Sequence, residues 1–271
     1  MKALLNKFPT TSRFVLAILL FCLALFISGL LNKGLVKQYF PYIACILLFV
    51  ATWFLYKTDK KSLRAIGLNL SLRNLSFLPL GLLIGAIAFL VAKYARALYA
   101  GESFAMSESI TYSTILYALY FILPTVAVEE FLFRGYLFKK TIEKSNVVIA
   151  NIIFSILFML IHVLDENVIS NKGMVVLLII TIPFGHLLFA TALLKSKTLF
   201  FPIGLHLGNN WATRHLITNI DSGDSMLYTV NNVTFDTWPS FIGSILIFNG
   251  VFLFVTVLIW KWNDFPFKKK M

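Results

Sequence analysis

Acidic residues are scarce in this chain: 12 Asp and Glu stand against 24 Lys and Arg in 271 residues, and charged residues of both signs make up only 13%. A soluble domain normally carries about a quarter charged residues, so the composition excludes an ordinary water-soluble globule. Cysteine is sparse too. Cys22 and Cys45 both fall inside apolar runs, which leaves them as small packing or lipid-facing residues rather than a disulfide or a metal site. Also missing are a Walker loop, a glycine-rich dinucleotide fingerprint, a CxxC pair, a His-Glu-x-x-His helix and a Gly-x-Ser-x-Gly elbow. Nucleotide binding, helical metalloprotease chemistry and serine hydrolysis therefore have no support. The longest polar connections, 57–76, 97–111 and 218–239, are too short for an independent soluble core.

What is present is apolar: 59% hydrophobic residues, 27 Phe and a mean hydropathy of +0.83. Eight runs, roughly 14–31, 40–56, 77–95, 112–138, 147–164, 173–194, 198–217 and 240–260, approach the length that crosses a bilayer. The expected fold is an all-α, polytopic transmembrane helix bundle of about eight spans, forming a single integral membrane domain over 1–271. The first run is too long for a cleaved signal peptide. The seventh is the least hydrophobic. With the N-terminus inside, 18 of the 24 basic residues fall on the cytoplasmic side, among them Lys2, Lys7 and Lys268–Lys270. Lys33, Lys37, Lys93, Arg96, Lys172 and Arg214 remain on the other side. The positive-inside rule thus makes both termini and the 57–76 loop cytoplasmic, with the cell membrane as the expected location. It also accounts for the formal charge of +12 through anionic lipid, without a nucleic-acid partner. Asn69, Asn74 and Asn232 each begin a glycosylation pattern, and Ser62–Leu72 reads as a short amphipathic stretch at the interface.

Ionisable groups inside a bilayer are costly and by default mark function. Ten of the acids lie in loops or at span ends; the other two are adjacent, Glu129 and Glu130, in VEEFLFRGYLF. Counting back from Lys139 along a helix puts Glu129 about 15 Å deep. Glu130 and Arg134 are one turn apart and form a supporting ion pair, while Glu129 faces elsewhere. Pro124 removes a backbone donor upstream and opens space beside Glu129. Of the four histidines, His206 shares a helical face with Asn210 and lies roughly 13 Å deep, whereas His162 comes out at about 24 Å. His186 and His215 read as ordinary interhelical groups. A carboxylate with an imidazole can take a proton from water, and a second His with an Asn can bind a developing oxyanion. Alternatively, Glu129, His162 and His206 could hold Zn²⁺ with one position left for water. Spacing does not choose between the two. All four residues are expected to line one cavity, open to the cytoplasm or laterally to lipid.

Glu129-Glu130-x-x-Phe133-Arg134, Phe158-x-x-x-His162 and His206-x-x-x-Asn210, in that order on three runs, resemble the signature of the CPBP (Abi) family of CAAX prenyl proteases and bacteriocin-processing membrane proteins. The resemblance covers a protease-like core of about 110–217. It implies intramembrane hydrolysis of a membrane-associated peptide or protein substrate, prenylated or bacteriocin-like. Glu129 and His162 would activate water, and His206 and Asn210 would bind the oxyanion. Family members are described both as metalloproteases and as metal-free glutamate types, so zinc stays open. The competing expectations are a non-proteolytic scaffold or immunity-type regulator that binds a partner membrane protein, and a transporter relaying protons through Glu129.

Overall fold

The computed structural model describes residues 9–262, apart from 222 and 232. Lys2, Lys7, Lys268–Lys270 and the pattern at Asn232 lie outside the described residues. Eleven helices occur among the described residues: α1 (Pro9–Leu31), α2 (Gly34–Tyr39), α3 (Ile43–Thr58), α4 (Leu72–Ala100), α5 (Tyr112–Phe133), α6 (Tyr136–Lys144), α7 (Val147–Val163), α8 (Glu166–Ile169), α9 (Lys172–Ser196), α10 (Phe200–Trp211) and α11 (Trp238–Lys261). Five segments are long and apolar enough to cross a membrane: α1, α4, α5 continued by α6, α9 and α11. The apolar helices α3 and α7 are shorter, at 16 and 17 residues. The outer face of α7 exposes Val148, Ile152, Ile156 and Ile161. Water would not tolerate that face, and lipid does. The chain is an integral membrane protein.

Two of the eight expected runs take a different form. The run 112–138 is not one helix: α5 stops at Phe133, and α6 starts at Tyr136. A Cβ on Gly135 would meet the carbonyl oxygen of Phe131, so the break needs glycine there. The run 198–217 becomes the 12-residue α10, a π-helical turn over Ala212–Leu216, and a strand. The fold is all-α, as expected, with one small sheet added at the loops. Strands β1 (Phe104–Met106), β2 (Ile217–Thr218) and β3 (Leu227–Thr229) join in the order β1-β3-β2, tying the 97–111 and 218–239 connections together at one end of the bundle. The 62–72 stretch is anchored to the bundle by part of its length. Its 3₁₀ turn Leu63–Ile66 tucks Ile66 and Leu68 into the core, and Leu199 N donates to Ile66 O at 3.1 Å. Asn74 is buried with its side-chain amide on Gly67 O at 2.9 Å, so its glycosylation pattern has a structural use.

Two features position the functional helices. In the first, α4 and α10 touch backbone to backbone through paired small residues, Gly81 and Gly85 against Gly204 and Gly208. A Cβ at Gly85 would meet Leu205 O, and one at Gly208 would meet Leu82 O. Small residues four apart let membrane helices approach this closely. His206 sits between the two α10 glycines, so the contact sets its height and rotation. The second is a polar clamp at the opposite end from the sheet. Asp59, which caps α3, binds Arg13 of α1 at 3.0 Å, Lys140 of α6 at 2.5 Å and the hydroxyl of Tyr136 at 2.9 Å. It fixes α6 after the break and thereby the end of α5 that carries the glutamates.

Candidate functional site

Glu130 is wholly buried, and its Oε1 accepts from Arg134 Nη1 at 3.1 Å, as expected for the ion pair. The guanidinium, also wholly buried, lies over the rings of Phe158 (4.1 Å) and Phe189 (5.1 Å). That stacking offsets part of the cost of hiding a cation. The same Glu130 Oε1 accepts from His206 Nδ1 at 2.9 Å. Sequence spacing gave no sign of this bond, which joins the supporting pair directly to a candidate catalytic group. Phe189 was also missed. It stacks on the His206 imidazole at 4.6 Å and 18°, and nothing marks it out among the apolar residues of α9.

Glu129 points away from the pair, as a 100° rotation requires. Its carboxylate is partly exposed to the cavity, and Oε2 lies 3.7 Å from His206 Nε2. His162, near the end of α7, shares Nδ1 with the carbonyl of Phe158 at 2.8 Å. A carbonyl can only accept, so Nδ1 carries a proton and Nε2 is the nitrogen left for the cavity. Glu130 Oε1, which already accepts from Arg134, likewise takes the Nδ1 proton of His206. Glu129, His162, His206 and Asn210 all line one cavity of about 1080 Å³. His186 and His215 are not among its lining residues: His186 is buried against Phe138, and His215 meets the carbonyl of Asp224. The cavity continues past Asn210 to Lys93, Arg96, Glu102, Arg214 and Asn219 at the sheet end.

Both histidines are held as metal-binding imidazoles usually are, with the second nitrogen donating to a carbonyl or carboxylate. Yet among the described residues no group of three His, Cys, Asp or Glu stands where it could hold a metal ion. Glu129, His162 and His206 share a cavity without forming a coordination set. The donor arrangement does not fit zinc, and no step below passes through one.

A membrane helix bundle with two histidines and a carboxylate around one internal cavity is the class of protein that fold and site define. Residues 111–212 match the family model described as Type II CAAX prenyl endopeptidase Rce1-like. The matched stretch is less than half of the chain but contains Glu129, His162, His206 and Asn210, so the resemblance read from those motifs holds where the site lies. No curated protein and no solved structure matches the chain.

Proposed function

We propose that this protein is an intramembrane endopeptidase of the CAAX-protease type, cleaving a membrane-associated peptide or protein with water activated by Glu129 and His162. The observation that carries the reading is the shared cavity: one carboxylate and two tautomer-fixed imidazoles reach the same water-accessible space inside an apolar bundle. Water placed there gives a proton to Glu129 or to the bare Nε2 of His162, and its oxygen attacks the substrate carbonyl. The oxyanion that forms needs donors. Asn210 supplies its amide. His206 can donate from Nε2 only when both ring nitrogens carry protons, and Glu129, 3.7 Å away, can pass one to it through a single bridging water. As the tetrahedral centre collapses, the C–N bond breaks and the proton from water passes to the leaving amine.

The orientation belongs to the same proposal: both termini cytoplasmic, the sheet end outside, in the cell membrane. The test of the function is a comparison of membrane peptides from cells with and without the chain. Truncated membrane-protein fragments that appear only with the wild type support proteolysis. Identical peptide profiles, with one membrane protein co-purifying with the chain instead, favour a scaffold.

A further inference from the structure

Phe158 and Phe189, on which the Arg134 guanidinium lies, line the catalytic cavity, whereas Arg134 and His186 sit behind that wall. Glu130 engages Arg134 through Nη1 alone. Nε and Nη2, which form another edge of the guanidinium, are buried with no hydrogen-bond partner among the described residues. His186 on α9 is 1% exposed, and both of its ring nitrogens are buried and unpartnered as well. Native interiors satisfy nearly all such groups, so orphans that lie together point to one shared contact. Packing puts these two residues side by side. Phe189, one turn along α9 from His186, lies 5.1 Å from the guanidinium. Phe138 of α6 meets the His186 ring edge-on at 5.9 Å. The imidazole is thus held next to the cation, whose charge acts on it. A ring buried beside a fixed cation takes up no second proton. One of its nitrogens is then a bare acceptor, which is what the Nε–Nη2 edge lacks.

We infer that His186 is a positioning residue: an internal water joins its bare nitrogen to the Nε–Nη2 edge of Arg134, and this holds the ion pair that orients His206. The N–H groups along one edge of a guanidinium form a fork, so a single water oxygen accepts from both and donates to His186. Buried waters typically make about three hydrogen bonds to groups with no other partner, and this set supplies them. Arg134 is then gripped at two edges, by Glu130 and, through water, by His186. Glu130 Oε1 in turn accepts from His206 Nδ1 at 2.9 Å. Helix α9 therefore reaches the candidate catalytic imidazole twice, by the Phe189 stack and by this polar chain. The chain of contacts stands apart from the peptidase reading; its consequence for catalysis rests on that reading.

The test compares His186→Leu, which removes the acceptor, with His186→Gln, which keeps one, in the full chain in detergent micelles. Leucine in place of an imidazole that pairs with nothing should stabilise the fold, because a buried orphan is removed. The inference expects the reverse. In His186→Leu the unfolding temperature should fall by at least about 3 °C, and the nitrogen-15 resonance of His206 Nδ1 should shift. His186→Gln should recover most of both. With a peptide that the wild type cleaves, His186→Leu should lower kcat at least about fivefold at unchanged KM. An unchanged or raised unfolding temperature in His186→Leu overturns the inference. So does a His206 resonance that stays in place, or a loss that His186→Gln does not recover, since either marks a packing role. If His186→Leu does not accumulate, the wild type decides: cross-relaxation between Arg134 Nε–H and a bound water retains the inference, and its absence rejects it. The unfolding and resonance measurements need no catalysis, so their failure and that of the peptidase reading are told apart.

Discussion

Glu130 Oε1 accepts two hydrogen bonds at once, from Arg134 Nη1 at 3.1 Å and from His206 Nδ1 at 2.9 Å. Through that one oxygen the ion pair on α5 fixes both the tautomer and the direction of an imidazole on α10. The adjacent Glu129 is thereby left facing His206 Nε2 across 3.7 Å with no charge partner of its own. Adjacent glutamates thus take different parts, one holding the histidine and one reaching into the cavity.

Removing one member of a desolvated pair leaves the other charge buried and costs about 3–5 kcal/mol. Arg134→Ala is therefore expected to lower the amount of folded protein in the membrane and its unfolding temperature in detergent. Glu130→Gln should do the same, and should also leave His206 without its anchor. Glu129→Gln should accumulate and unfold like the wild type. Thermal unfolding of the three purified variants, read alongside membrane yield, checks this division. Equal behaviour of all three contradicts it.

The α4–α10 contact predicts a second effect. Because a Cβ at Gly208 or Gly85 would run into the facing backbone, Gly208→Ala and Gly85→Ala must push the helices apart. Overpacking of this kind costs about 1–3 kcal/mol. His206 would move with α10, so peptidase activity should fall more than folded yield does. Gly250→Ala, on the exposed side of α11 where nothing lies within 4 Å, is the matched control.

Much of this arrangement was legible beforehand, and the misreadings have physical causes. Long apolar runs locate α1, α4, α9 and α11 because lipid demands both length and apolarity of a span. The break after Phe133 was invisible because hydropathy continues through Leu137 and Phe138, while the cause is a backbone contact at Gly135. The depth of Glu129, counted from Lys139, therefore ran along a continuous helix that does not exist. The count for His162 failed in a similar way, since depth along one helix says nothing of how two helices are offset, and His162 lines the same cavity as Glu129. Strands of two or three residues carry no readable period, so the sheet was missed. Glu130 on His206 is a contact across 76 positions, which no local spacing encodes.

Acid should loosen the end of the bundle opposite the sheet only late. Burial pushes the Asp59 carboxyl up. Hydrogen bonds from Lys140 and Tyr136, with the charges of Lys140 and Arg13, outweigh it and hold the group below its ordinary value of 3.8. A carboxyl depressed in the folded state contributes stability that is full above its unfolded pKa and is lost as pH falls through the folded one. The clamp on α1, α3 and α6 should hold from neutral pH down to about pH 4 and weaken below it. Asp59→Asn should remove that acid-dependent step and lower stability at neutral pH. Unfolding temperature against pH for both proteins measures it.

Metal removal offers a separate check. Since Glu129, His162 and His206 do not form a coordination set, activity is expected to survive 1,10-phenanthroline and dialysis, and elemental analysis of purified protein should find well under one zinc per chain. Stoichiometric zinc, with activity lost on chelation and restored on zinc addition, would mean that these three side chains close up around an ion.

The most direct measurement of the central claim is single-turnover hydrolysis by the purified chain and its Glu129→Gln variant, using a membrane peptide that disappears only in cells expressing the wild type. General base catalysis typically contributes 10²–10⁴-fold. The account predicts that Glu129→Gln binds the peptide with wild-type affinity and cleaves it at least about a hundredfold more slowly, at unchanged folded yield. Cleavage by Glu129→Gln at the wild-type rate would contradict it.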